Sequence, residues 1–277
     1  MLPFGSLDDP TMGLQSWPEL RELAEAAESA GLDSLWVADH FFGQAPEGRV
    51  RGMHDGWTIL SALAAVTSRV ELGPLVLCSG FRSPAVIANQ AATLDEVSGG
   101  RLVLGVGAGW HDPEYQAFGF PTDHKVSRFG EALEVIARLV RGERLTFEGR
   151  YHTVRDAALA PPPGRPIPVL VAGNGPRMLS LAARWADAWN TAWFDAPGDE
   201  RLAERLRALD EALAEEGRDP ASLERTVGII VRGDTDVEPL LSELQQHRVG
   251  HVIAFAEPAT REAVEQLASA ARGFRGA

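Results

Sequence analysis

Residues 16–38 read SWPELRELAEAAESAGLDSLWVA, and they hold the unit from which the rest of the chain is assembled. Ser16, Pro18 and Glu19 supply an N-cap hydroxyl, a first-turn proline and an acid placed to close a capping box, so a helix begins there. Leu20, Leu23, Ala24 and Ala27 fall on one face at helical spacing. Gly31 is the residue type that ends a helix in left-handed backbone. The run 34–38 is short and mostly apolar, which predicts a strand buried on both faces, as in a parallel sheet.

The same alternation continues outward. A helix over 55–68 precedes a strand over 70–78, and a helix over 83–98, closed by Gly99-Gly100, precedes a strand over 102–106. A helix near 125–141 carries Phe129, Leu133, Ile136 and Val140 on one side. Strands over 169–172, 188–191, 226–231 and 251–255 then alternate with helices over 176–185, 199–216, 237–246 and 259–271. With a weak first strand near residues 2–6 there are eight strands. Eight parallel strands joined by right-handed helical crossovers predict an α/β fold closed as a (β/α)8 TIM barrel, with an open doubly wound sheet as the rival. Such a barrel takes about 250 residues as one unit, so residues 1–277 are expected to form one domain. The long connection 107–124 and a β-hairpin at 144–154 around Glu148-Gly149 read as an insertion over about 107–165.

Composition narrows the function classes. A formal charge of −13 opposes binding to a phosphate backbone, so no nucleic-acid partner is expected. There is no long apolar run and no leader-like segment at the start, so neither a membrane span nor a signal peptide is expected and the cytoplasm is the simplest address. Cys78 is the sole cysteine and reads as a small buried apolar residue. The pairs His54-Asp55 and His111-Asp112 lack further ligands at metal-site spacing, so no catalytic metal is expected. Lys125 is the only lysine and begins a helix, which argues against Schiff-base chemistry.

Barrel active sites form at the carboxyl ends of the strands, and that rule selects four clusters. Asp39-His40-Phe41-Phe42 follows the strand over 34–38, where His40 is either a proton carrier or a histidine satisfied by a backbone carbonyl. Gly105-Val106-Gly107-Ala108-Gly109-Trp110-His111 follows the strand over 102–106; its glycines suit either a flat ring approaching backbone or close strand packing. Gly173-Asn174-Gly175-Pro176 leads from a strand directly into a helix, the pattern of a phosphate cradle or of a tight turn. Trp189 and Trp193 flank Asn190 at another strand end and read as walls of an apolar pocket or as core.

Five segments taken together resemble the luciferase-like monooxygenases, most nearly the branch that uses coenzyme F420: DSLWVADHF (33–41), TSRVELGPLVL (67–77), SGGRLVLGVGAGWHDPEYQAFGFP (98–121), FEGRYH (147–152) and PVLVAGNGPRMLSLAARWADAWN (168–190). The resemblance implies a barrel with an insertion segment, a homodimer, and an oxidoreductase acting on a small-molecule substrate. It implies a bulge with a cis peptide at Leu75-Val76 behind the cofactor ring, Cys78 beside the ring, and Gly107, Ala108, Gly109 and Trp110 along its polar edge. Gly173, Asn174 and Gly175 would hold the phosphate, while His40 would face the reacting ring atom with Asp39 orienting it. Phe41, Trp189 and Trp193 are expected around the substrate. The implied chemistry is hydride transfer with F420; the alternatives are an FMN-dependent monooxygenase and a non-catalytic flavin-binding relative. Trp110 stands where the sugar-phosphate dehydrogenase branch carries a glutamate, and the basic residues that branch uses for its substrate phosphate are not located, so that substrate is not carried over.

Overall fold

The computed structural model describes residues 1–3, 14–44, 50–233 and 235–275. The first unit forms as its sequence predicts. Ser16 N and Oγ each donate to Glu19 Oε2 at 2.7 Å, opening α1 (Trp17–Ala30), and Gly31 closes it at φ 94°. There follow β1 (Ser34–Val37), β2 (Phe42–Gln44), β3 (Val50–Gly52), α2 (Gly56–Val66), β4 (Glu71–Pro74), β5 (Leu77–Cys78), α3 (Pro84–Ser98) and β6 (Leu104–Gly107). Next come α4 (Asp112–Ala117), α5 (Lys125–Val140), β7 (Leu145–Glu148), β8 (Thr153–Ala157), β9 (Val169–Ala172) and α6 (Pro176–Trp185). The chain continues with β10 (Ala188–Phe194), α7 (Glu200–Glu215), β11 (Glu224–Arg232), α8 (Val237–Gln246), β12 (His251–Glu257) and α9 (Arg261–Arg275).

Parallel pairing runs from β1 to β4, crosses to the next strand at the Leu72–Leu102 bridge and the β5–β6 ladder, and continues through β9, β10 and β11 to β12. The two ends meet at the start of the chain. Leu2 N donates to Trp36 O in β1 at 2.8 Å, and the Met1 amino group donates to Ala254 O in β12 at 2.5 Å. The ring is the closed (β/α)8 barrel and not the open sheet. Of the first strand expected at 2–6, residues 4–6 lie outside the described residues. Helices pack around the ring, and Phe129, Leu133, Ile136 and Val140 on α5 are fully buried on the side their spacing indicates. Among the described residues no helix is long and apolar enough to cross a membrane.

Three local expectations change and one element is added. The strand over 70–78 is broken into β4 and β5 at Leu75-Val76, whose peptide is cis as the resemblance implies. Pro74 ends the first piece because it has no amide to give to a ladder. The connection 107–124 contains α4, whose six residues are too few for a readable apolar period although Asp112, Pro113 and Glu114 mark its start. The strand over 188–191 runs on to Phe194 through a bulge. An antiparallel pair, β2 with β3, follows the His40 segment, an element the sequence did not suggest. The hairpin of β7 with β8 is present.

Candidate active site

A cavity of about 690 Å³ opens at the carboxyl ends of the strands. His40 enters it after β1, Val76 between β4 and β5, Gly107 from the end of β6, Asn174 after β9, Trp193 from β10 and Phe255 from β12. The volume is in the range of cofactor and small-molecule sites, about 300–1,000 Å³.

The strongest polar arrangement on the wall is a pair that the sequence did not suggest. His40 Nδ1 lies 2.8 Å from Glu114 Oε2, and the other carboxylate oxygen accepts from Phe41 N at 2.5 Å and Phe42 N at 3.1 Å. Glu114 is fully buried in α4. Burial pushes its carboxyl up, but the His40 hydrogen bond and charge and the two amides outweigh it, and the net direction is down. An ionised carboxylate only accepts, so Nδ1 carries a proton whether the ring is charged or neutral, and in the neutral ring the lone pair is on Nε2. Glu114 thus sets both the tautomer and the tilt of the imidazole.

Asp39, expected to orient His40, does something else. Its carboxylate takes Arg82 as a fork, at 2.8 Å to Nη1 and 2.9 Å to Nη2, and Oδ2 also accepts from Cys78 N at 2.8 Å. It ties the end of β1 to β5 and to the turn after it. Arg82 reaches on to Asp55, the N-cap of α2, at 3.2 Å.

The glycine cluster is consumed by packing. A Cβ on Gly105 would come 2.1 Å from Pro74 O, and one on Gly107 would come 2.7 Å from Val76 Cγ2. Gly109 has φ +76° and faces the Tyr115 hydroxyl at 2.1 Å from a would-be Cβ. These glycines let β6 lie close against the broken strand; Gly107, Ala108, Gly109 and Trp110 still line the cavity. Cys78 is buried, as expected, with its Sγ 2.9 Å from the Tyr115 hydroxyl, which donates to Ala108 O at 2.8 Å. Burial pushes the Cys78 thiol up to about 11, which keeps it protonated at neutral pH.

Leu75, Val76, Gly173 and Asn174 line the same cavity, and Gly175 is the N-cap of α6 at its rim. A Cβ on Gly175 would meet nothing within 4 Å. Trp193 lines the cavity, but Trp189 does not: it is fully buried and its Nε1 donates to Gly173 O at 2.9 Å, so it supports the loop from behind. Phe41 is also off the cavity. It stacks on Phe118 at 4.1 Å and packs on Phe81 at 4.6 Å, filling an aromatic cluster beside the mouth.

A planar ring with a phosphate tail fits these residues. Val76 offers an apolar floor to the open mouth, and the Gly173-Asn174-Gly175 turn, open at Gly175 and closed against Met178 at Gly173, precedes a helix N-terminus, the usual setting for a phosphate. His111 Nε2 on the same wall is buried with no hydrogen-bond partner, a polar atom that an incoming group would satisfy.

Comparisons with known proteins agree with this architecture. The F420-dependent glucose-6-phosphate dehydrogenase of Kineococcus radiotolerans is 38% identical over 229 residues, covering 79% of this chain and 65% of that protein. The phthiodiolone/phenolphthiodiolone dimycocerosates ketoreductase of Mycobacterium kansasii is 35% identical over 233 residues, covering 76% and 63%. The chain therefore spans a little under two thirds of the length of these curated relatives. Among solved structures, an F420-dependent secondary alcohol dehydrogenase with an F420-acetone adduct superposes with a TM-score of 0.80 at 21% identity, covering 92% of this chain and 94% of that one. The coenzyme F420-dependent tetrahydromethanopterin reductase of Methanopyrus kandleri gives 0.73 at 19% identity, with the same coverages. At such identities the likeness is one of fold. The family model for luciferase-like monooxygenases matches residues 1–275, and the chain belongs to that family.

Proposed function

We propose that this protein is an F420-dependent oxidoreductase that transfers hydride between the deazaflavin and a small organic substrate. The observation that carries the proposal is a histidine held by a buried carboxylate at the wall of an open, mainly apolar barrel mouth. When bound, the deazaflavin supplies a two-electron hydride donor or acceptor. The protein's own residues do the rest. Gly173, Asn174 and Gly175 would hold the phosphate with backbone amides and the α6 N-terminus. Leu75 and Val76 would carry the ring, Gly107 to Trp110 would run along its edge, and Cys78 stays protonated nearby. His40 Nε2 takes the proton from a substrate hydroxyl or returns it to a carbonyl oxygen, and Glu114 stabilises the imidazolium that results. Names of relatives at 38% and 35% identity, which include F420-dependent and carbonyl-reducing enzymes, support the same reading.

Replacing His40 by alanine tests it. Turnover is expected to fall by about 10²- to 10⁴-fold, the usual worth of a positioned acid or base, while the cofactor Kd changes by less than about twofold. Equal loss of both would mark the histidine as structural. The same reading includes a cytoplasmic homodimer. Val86 and Val97 stand exposed on α3 among polar neighbours, two apolar side chains that suit contact with a second copy, and sedimentation equilibrium reads the assembly directly.

A further inference from the structure

We propose that the substrate is an uncharged secondary alcohol, or the matching ketone, bearing an apolar or aromatic group that lies between Trp110 and Trp193. This rests on the hydride-transfer reading above and names its substrate class.

Charge is the first argument. Among the described residues that line the cavity there is no lysine or arginine, whereas Asp39, Glu114 and Glu257 all line it. Each acid already has its counter-group: Arg82 for Asp39, His40 for Glu114 and Arg232 for Glu257. Lys125, close by at the start of α5, is bonded to Asp112 and lies 4.4 Å over the Tyr115 ring. A phosphorylated substrate would bring a dianion into a wall with several carboxylates and, among the described residues, no unspent cation, which like-charge repulsion and desolvation both oppose.

Apolar surface is the second. Trp110 is 65% exposed and Trp193 is 37% exposed, two of the few large apolar side chains left open to solvent, and both line this one cavity. Trp110 stands edge-on to His40 at 5.7 Å, and Trp193 faces Phe255 at 6.2 Å. The seat of Trp193 is built for it: a Cβ on Gly228 in β11 would lie 2.7 Å from the indole. Polar demand from the substrate is small. Asn190 Nδ2 on the wall is turned to Thr226 at 2.8 Å, and the two imidazoles His40 and His111 are the groups that can meet a substrate oxygen, with His40, held by Glu114, as the proton-exchanging one.

The balance is simple. In the oxidative direction the carbinol hydrogen leaves with its electron pair to the deazaflavin, the hydroxyl proton passes to His40 Nε2, and the C–O bond becomes C=O; reduction reverses each step.

Calorimetric titration of the F420-mixed protein with acetone, 2-butanone, 2-pentanone, 2-hexanone, acetophenone and glucose 6-phosphate tests the class. Affinity is expected to rise about three- to fourfold per added methylene. Acetophenone should bind at least as well as 2-hexanone, and glucose 6-phosphate more weakly than acetone. With F420 shown bound in each variant, Trp110→Ala and Trp193→Ala should each lower the ratio of acetophenone to acetone affinity by about threefold or more. A flat ketone series, or glucose 6-phosphate binding more tightly than 2-hexanone, would overturn the substrate class. F420 fluorescence in the same samples separates the two claims: a flat series with F420 bound sinks only the substrate class, and failure of F420 to bind sinks the proposed function and this inference with it.

Discussion

The chemistry of the site turns on which acid faces His40. The Asp39 carboxylate next to it in sequence is taken up by Arg82 and Cys78 N, and the partner of His40 comes from Glu114 on another element. His40 was legible from its place at a strand end. Glu114 was not, because nothing local links it to His40, although an acid in the first turn of a helix just past a glycine-rich strand end is a signal that can be looked for. Glu114→Gln keeps the shape but removes the charge that stabilises the imidazolium; turnover should fall by about 10- to 100-fold with little change in substrate KM. The carboxyl also contributes to stability with a definite sign. Its folded value lies below the ordinary 4.5, so its contribution is present above pH 4.5 and lost as pH falls through the lower folded value. Urea titrations of wild type and the glutamine variant at pH 7 and in that acid window should converge at low pH. Asp39 is the structural acid: Asp39→Ala leaves Arg82 short of its fork and Cys78 N without an acceptor, and should cost about 3–5 kcal/mol. Chemical denaturation reads that loss.

At the level of elements, the broken strand is what shapes the cavity floor. β4 and β5 leave Leu75 and Val76 displaced into the mouth, and β6 can lie against them only because Gly105 and Gly107 have no side chain. Gly105→Ala would set a methyl 2.1 Å from the Pro74 carbonyl, backbone against backbone, and should cost about 3 kcal/mol or more. The change in urea midpoint measures it, and a loss under 1 kcal/mol would mean the two strands are not packed as described. Helix starts and stops were readable from Ser16, Glu19, Pro18 and Gly31 because caps are local chemistry. The glycines of 105–109 were ambiguous for the opposite reason. A ligand and a neighbouring strand ask for the same missing Cβ, and only the spatial position of Pro74, Val76 and Tyr115 decides between them.

Across the whole molecule, the order of eight strand positions was written in the alternation of apolar runs with capped helices. The closing piece was the hardest to read, since among the described residues the contacts at the seam are the bonds of Leu2 to β1 and Met1 to β12. The seam they close also carries a half-buried histidine. His251 Nε2 lies 2.7 Å from Ser34 Oγ across the seam, and its ring stands edge-on to Trp36 at 5.8 Å. Burial lowers its value from the ordinary 6.5, so it stays neutral in the folded barrel while the unfolded chain takes up a proton. Stability present above pH 6.5 is therefore lost as pH falls from 6.5 to the folded value, by at most about 1.4 kcal/mol per pH unit. Melting temperatures at pH 7.5 and 5.5 should diverge more for wild type than for His251→Asn, and equal divergence would remove the seam from the account.

The claim on which the rest depends is that a deazaflavin, phosphate at Gly173 to Gly175 and ring on Val76, occupies the barrel mouth. Titrating the purified protein with F420 and, separately, with FMN, each followed by ring fluorescence, tests it most directly. Saturable F420 binding at one equivalent per chain, at least tenfold tighter than FMN, is the predicted result; preferential FMN binding, or no saturable binding of F420, would contradict it.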